Sequence, residues 1–329
     1  MAYPALIIGI RNRGMAWAQA IGAHPDFELG GVADVDPAVL DARAGELGLS
    51  GESRYPDYRE ALASGRYRVA VVVVPNHMHY PVARDVLEAG VHCLLEKPFT
   101  ERLDQAEELV VLAGNKDLAL VIGHNYRFKL PFMRTAEVIR AGRLGPLIGI
   151  EVSFHRYRPP RHEHERDMRY PMLFLQGIHH LDLLAGFLPS PIDEIHCRHF
   201  LPAGSPWRSP SVCHLILRSQ DGTLVNYRGS YESRGEQTPY DGLWRFEFAR
   251  GDLILDEEGK LWQVEQGDRT CLYEPQAGER SSDERLLDTL RETIEEGREA
   301  PTSGRRNIST LRLLFEVIKR GEEQRHIDE

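Results

Sequence analysis

The chain has few cysteines. Four stand in 329 residues (Cys93, Cys197, Cys213 and Cys271), far apart and never in a Cys-x-x-Cys pair. Neither a zinc ribbon nor a disulfide framework is indicated. Positive charge is also in deficit, with 40 Lys and Arg against 50 Asp and Glu, a net charge of −10. With no basic tract and no interleaving of aromatic and basic residues, a nucleic-acid surface is not expected. No apolar run approaches membrane-spanning length, and the N-terminus runs straight into an apolar strand with no basic-then-apolar leader. A cytoplasmic protein with no membrane or nucleic-acid partner is therefore expected. No repeat or low-complexity segment stands out, and the length suits two domains with a large core.

The most informative stretch spans residues 5–34. An apolar run at 5–8 enters "GIRNRG" at 9–14, an apolar-periodic segment follows (Met15, Trp17, Ala18, Ile21), and a second β-like run ends on Asp34. Strand, glycine turn, helix, strand and acid is the order of a βαβ nucleotide-binding unit. A tight turn at Gly9 delivers the chain to a helix N-terminus, whose free N–H groups attract a pyrophosphate. Gly9, Arg11, Asn12 and Gly14 are thus candidate cofactor contacts. Asp34, 20 residues past Gly14, is placed to accept from an adenosine ribose and to repel a 2′-phosphate, which favours NAD over NADP. Arg11 stands where the second glycine of Gly-x-Gly-x-x-Gly is usual. Its guanidinium either pairs with phosphate or obstructs the pocket.

Strands then alternate with helices. A β-branched run at 69–74 ends in "PNHMH" (75–79), a strand at 91–95 ends in "EKP" (96–98), and a strand at 119–122 leads to "GHNYRF" (123–128). This predicts an α/β fold with a parallel, doubly wound sheet over residues 1–124, and ligands sit beyond the carboxyl ends of such strands. Gly9, Asp34, Pro75, Lys97 and Asn125 all occupy those ends. Asn76, His79 and Glu96 join them on the cofactor side, although His77 and His79 also read as capping or packing at the start of the next helix. An ammonium at Lys97 beside a substrate hydroxyl would stabilise an alkoxide as hydride leaves.

These residues carry a resemblance. "EKP" after a buried strand, "PN-x-x-H" after the strand before it, and the glycine turn with Asp34 resemble the Gfo/Idh/MocA family, which includes glucose–fructose oxidoreductase and inositol dehydrogenase. The resemblance covers nearly the whole chain. It implies a Rossmann domain followed by an α/β domain with a large open sheet, NAD(H) or NADP(H) as cofactor, and redox chemistry at a carbon of a sugar, inositol or related compound. It further implies that Lys97 is the active-site lysine, with a cis peptide before Pro98.

In the second domain, residues 125–329, a helix at 131–141 precedes a strand at 147–155 and a charge-dense stretch, "RYRPPRHEHERDMRY", at 156–170. That stretch reads as a flexible loop, with Arg156, Arg158 and Arg161 able to meet an anionic substrate group. "HEHE" at 162–165 lacks the helical order of a His-Glu-x-x-His site, so no metal is expected. "MLFLQGIHHLDLL" at 172–184 carries the second constellation. On a helix His179 and Asp182 share a face, a general acid/base pair with its orienting carboxylate, while His180 points elsewhere and is kept as a substrate-side candidate. The resembled family often has an Asp one turn before this His, where Leu175 stands. An apolar neighbour favours neutral imidazole.

From 192 to 274 the pattern is strand-like and antiparallel, with a hairpin signal at 220–222 and with Trp244, Phe246 and Phe248 alternating with Arg245 and Glu247. A broad sheet with helices on one side needs cover on the other, so a homodimer or homotetramer through this sheet is expected. Tyr231 and Tyr240 read as packing residues, and two helices at 284–296 and 308–319 close the chain. Tyr126 and Arg127 are candidate substrate or nicotinamide contacts.

The reading that absorbs most of these features is an NAD(P)-dependent oxidoreductase acting on a sugar, inositol or related polyol or sugar acid, with NAD favoured over NADP. In it His179 handles the proton and Lys97 the oxygen charge. Two others remain: a non-redox ligand-binding or regulatory protein on the same fold, and a lyase or glycosidase in which hydride passes from substrate to NAD and returns.

Overall fold

The computed structural model describes residues 2–328, and the side chains of these except at 164 and 325–328. The chain divides into two compact units. One is Met1–Phe128 with Arg280–Leu311, the other Lys129–Glu279 with Arg312–Glu329. A cut at 124/125 follows chain order; in space, residues 125–128 and 280–311 belong with the N-terminal unit.

In the first unit β1 (Tyr3–Ile8), β2 (Phe27–Ala33), β3 (Arg54–Tyr55), β4 (Val69–Val72), β5 (His92–Leu95) and β6 (Leu120–Ile122) form a parallel sheet in the order β3-β2-β1-β4-β5-β6. Helices α1 (Asn12–Ala23), α2 (Pro37–Glu46), α3 (Tyr58–Ala63), α4 (His79–Glu88) and α5 (Leu103–Asn115) make the crossovers. The chain leaves β1 in both directions, so the strand order reverses between β1 and β4. That reversal opens a crevice at the strands' carboxyl ends. The four residues of β4 are all buried, as a central parallel strand covered on both faces requires.

In the second unit α6 (Leu130–Ala141) ends on Gly142 at φ +65°, where a residue without Cβ meets no penalty. Eight strands follow: β7 (Leu147–His155), β8 (Ile192–Phe200), β9 (Val212–Ser219), β10 (Leu224–Ser230), β11 (Leu243–Phe248), β12 (Gly251–Leu255), β13 (Leu261–Glu265) and β14 (Asp268–Tyr273). Their order is β14-β13-β12-β11-β7-β10-β9-β8, antiparallel except for β7 with β10. The helices between β7 and β8 are α7 (Glu163–Arg166) and α8 (Ile178–Phe187). Phe132 of α6 and Phe187 of α8 pack on Trp244 and Phe246, so the aromatic face of β11 is the buried one. On the opposite face His214, Ile216, Leu224, Asn226 and Arg228 are exposed.

The last helices are α9 (Ser282–Glu296), opened by a Ser281–Glu284 capping box, and α10 (Gly304–Asp328). Leu286, Leu287 and Leu290 of α9 fill the same core as Ile7, Trp17, Ile21 and Val71. No helix among the described residues is long and apolar enough to cross a membrane.

Candidate active site

The glycine turn is built by close backbone approach. Gly9 has φ +93°, and a Cβ there would lie 2.2 Å from the Val73 carbonyl oxygen. A Cβ on Gly14 would lie 2.1 Å from the Gly9 carbonyl oxygen. Neither position admits a side chain without moving the backbone. Arg11 occupies the cap position of α1, which carries no side-chain capping hydrogen bond and no acid in its first turn. The positive end of α1, beginning at Asn12, therefore faces the crevice uncapped by any side chain, and these residues fit the pyrophosphate of a dinucleotide.

Arg11 does not fill the turn. Its guanidinium, 68% exposed, points outward to Asp36 at 2.9 Å. Asp34 is buried at the end of β2, where its carboxylate accepts from the backbone N–H of Ile10 at 3.1 Å and of Asp36 at 3.0 Å. It braces the turn from the side where the ribose is expected.

At the neighbouring strand ends Pro75 is exposed and Asn76 half-buried. His79 is fully buried, with its ring nitrogens 2.6 Å from the Pro98 oxygen and 3.0 Å from that of Val74. This ring joins the ends of β4 and β5. Burial holds its pKa below the usual imidazole value and outweighs those backbone contacts, which act upward. Lys97 is half-buried and the Lys97-Pro98 peptide is cis.

Glu96 is buried among hydrogen-bond donors. One carboxylate oxygen accepts from Arg13 Nε at 2.5 Å and Trp17 Nε1 at 2.9 Å; the other accepts from the Lys97 backbone N–H at 3.1 Å. Burial alone would raise this carboxyl, but Arg13 and then Lys97 hold it below the ordinary value. Arg13 also forks onto Asp283 of α9 at 2.6 and 2.9 Å, and Asn125 donates to the same carboxylate at 3.0 Å. Sequence reading passed over Arg13 and Asp283. One signal was present: Arg13 and Trp17 are four apart and share the helix face that turns inward. Tyr126 is buried and Arg127 half-buried in the short turn Asn125–Phe128.

In the second unit the regular helix expected at 172–184 is interrupted. Leu173–Gly177 forms a π-helical turn, and α8 begins only at Ile178. A Cβ on Gly177 would lie 3.2 Å from the Leu173 side chain. Such turns are frequent at functional sites. Leu175 lies in it half-buried, and Gln176 donates to the Tyr240 carbonyl at 2.8 Å. His179 and Asp182 are both buried on α8, at 7% and 1% exposure.

His180 is fully buried on α8. Its Nδ1 lies 3.1 Å from the Tyr227 hydroxyl, and its ring packs edge-on against Phe154 and Trp244. Burial, with Lys129 adding to it, pushes its pKa down to about 3.

The charge-dense stretch is folded onto the unit. Arg158 pairs with Glu165 at 3.4 Å, both mostly buried, and the Trp207 indole donates to the Arg158 carbonyl at 3.0 Å. Arg156 donates to the Thr238 carbonyl at 2.8 Å and covers the Tyr240 ring. The expected flexible loop is thus held at these two arginines, while Arg161 stays exposed. Of the "HEHE" residues, the His164 side chain lies outside the described residues.

A family model described as "Oxidoreductase family, NAD-binding Rossmann fold" matches residues 4–124, and one for the GFO/IDH/MocA C-terminal domain matches 132–251. The chain belongs to the Gfo/Idh/MocA family. Within it, scyllo-inositol 2-dehydrogenase (NADP(+)) IolW of Bacillus subtilis is 23% identical over 79% of this chain and 78% of that one. Several other relatives are matched over only 29–36% of their own length. An oxidoreductase from Agrobacterium radiobacter, solved with NAD+, L-tartaric acid and magnesium, superposes with a TM-score of 0.88 at 19% identity, covering 98% of this chain and 97% of that one. An inositol dehydrogenase homolog from Azotobacter vinelandii, solved with NADH and myo-inositol, gives 0.84 at 18%, covering 98% and 96%. The first unit of this Gfo/Idh/MocA protein is accordingly an NAD-binding Rossmann fold.

Proposed function

We propose that the protein is an NAD-dependent dehydrogenase that moves a hydride between nicotinamide and a hydroxyl-bearing carbon of a sugar, inositol or related polyol. The observation that carries this reading is the conjunction of a glycine turn after β1 with Lys97 after β5, both at the carboxyl ends of the same parallel sheet. Gly9, Gly14 and the α1 terminus would hold the pyrophosphate, and Asp34 the adenosine ribose. When bound, the nicotinamide supplies the hydride acceptor or donor. Lys97 stabilises charge on the reacting oxygen, and His179 takes or returns its proton, with Asp182 three residues on as orienting carboxylate. NAD is favoured over NADP because the Asp34 carboxylate repels a 2′-phosphate. Pro75, Asn76, Asn125, Tyr126 and Arg127 remain candidates for lining this site.

The same proposal includes self-association through the open face of the eight-stranded sheet. Ile216 and Leu224, 53% and 49% exposed, stand there on adjacent strands. A cytoplasmic location suits the four free cysteines.

The test is titration with NADH and NADPH followed by nicotinamide fluorescence. A panel of inositols, sugars and sugar acids is then scored for NAD+ reduction. We expect NADH to bind and turnover to fall by about 10²–10⁴-fold in Lys97→Ala and His179→Ala. No response to either cofactor would remove the reading, and wild-type rates in both variants would remove the residue roles.

A further inference from the structure

Arg13, Glu96 and Asp283 come from distant parts of the sequence and form one charge cluster inside the first unit. A single guanidinium, lying 4.6 Å over the Trp17 ring, bridges two carboxylates that are 6% and 9% exposed. Removing water from a carboxylate favours its protonated form, and a paired cation reverses that. Burial is the largest influence on Glu96 and acts upward; Arg13 is the largest of those acting downward. Arg13 is therefore foremost among the groups that favour the ionised form of Glu96, ahead of Lys97 and the Trp17 indole. Glu96 in turn receives the backbone N–H of Lys97 on its second oxygen, and it is the carboxylate directly preceding that lysine.

We infer that Arg13 is a positioning residue for Lys97, acting through the Glu96 carboxylate that it pairs with and holds in place. The guanidinium sits in the first turn of the helix that follows the glycine turn. The device thus links the helix after the glycine turn to the residue that precedes the lysine. Asp283 holds the guanidinium from behind in a two-pronged pair, which fixes its plane. The functional meaning of the inference rests on the proposed role of Lys97, but its test does not.

The test is the titration of the Lys97 amine in the full chain. Trace acetic anhydride labelling at a series of pH values is followed by mass spectrometry of the Lys97 peptide. Glu96→Gln sets the reference, since an amine that loses its neighbouring carboxylate titrates at lower pH. Arg13→Met should shift the Lys97 curve in the same direction by about half a pH unit or more, because the unpaired, buried Glu96 takes up a proton. Arg13→Lys should restore the wild-type curve. Arg13→Gln keeps an N–H donor for Glu96 without the charge, and should shift like Arg13→Met if that variant does not fold. A curve unchanged in both neutral variants, or one that Arg13→Lys fails to restore, would make the cluster a fold brace only and overturn the inference. Labelling needs neither cofactor nor substrate. Failure to bind NADH would therefore sink the dehydrogenase reading separately.

Discussion

Arg11 and Asp36 form an ion pair at 2.9 Å on the outer side of the glycine turn, with the guanidinium 68% and the carboxylate 39% exposed. The residue that replaces the usual second glycine is thereby drawn away from the turn. Its partner is also the residue that caps α2. An exposed pair of this kind contributes about 0–1 kcal/mol to folding. We expect Arg11→Gly to leave the melting temperature nearly unchanged. If the guanidinium swings to the pyrophosphate when cofactor binds, the same variant should weaken NADH by roughly tenfold, the worth of a charge-assisted contact. Equal or tighter binding in a fluorescence titration would limit Arg11 to its role beside Asp36.

Gly9→Ala should be far more damaging. The added methyl would meet the Val73 carbonyl oxygen at 2.2 Å, and the backbone sits at φ +93°. Strain at such a position costs about 1–3 kcal/mol before the clash is counted. Urea unfolding should show a clear loss of stability, and a variant as stable as wild type would mean that the turn opens without cost.

Stability should fall in acid because of buried imidazoles. His180 is held at about 3 against an ordinary 6.5, by burial first and Lys129 second, and burial also lowers His79 and His92. Below pH 6.5 the unfolded chain binds protons that the native His180 refuses. Its contribution is therefore complete above about 6.5 and is lost as pH falls toward 3. The urea midpoint should be lower at pH 5 than at pH 7.5, and His180→Phe should narrow that difference. An undiminished difference in the variant would show that His180 is not the neutral group responsible.

The exposed sheet face offers a fourth measurement. Ile216→Asp places a charge at a position 53% exposed in the single chain, so the fold should survive it. Light scattering should report a smaller particle than wild type if this face joins copies. An unchanged mass would move the interface elsewhere.

Much of the site was legible because its signals are local. The strand–glycine–helix order at 5–34 and the strand ends at Asp34, Lys97 and Asn125 follow from apolar runs and glycines that act within a few residues. The depth of His79, Glu96 and His180 was not legible, because the sequence shows a polar residue near a strand end or helix face but not how deeply it is buried. Burial with backbone partners made His79 a brace, and burial among aromatic rings made His180 part of the core. The π-helical turn at Leu173–Gly177 changes helix register within one turn, a departure that periodicity averages away.

What the chain determined by itself was the alternation of strand and helix, the turn that only glycine can make, and the placement of a lysine at a parallel strand's end. These depend on steric limits of single residues and on the spacing of apolar ones. Tertiary structure alone decided where the charges are spent. Arg13 meets Asp283 across 270 residues of sequence, and α9 returns to fill a core begun by β1. No local pattern encodes such pairings, because a buried ion takes whichever opposite charge the completed fold brings within reach.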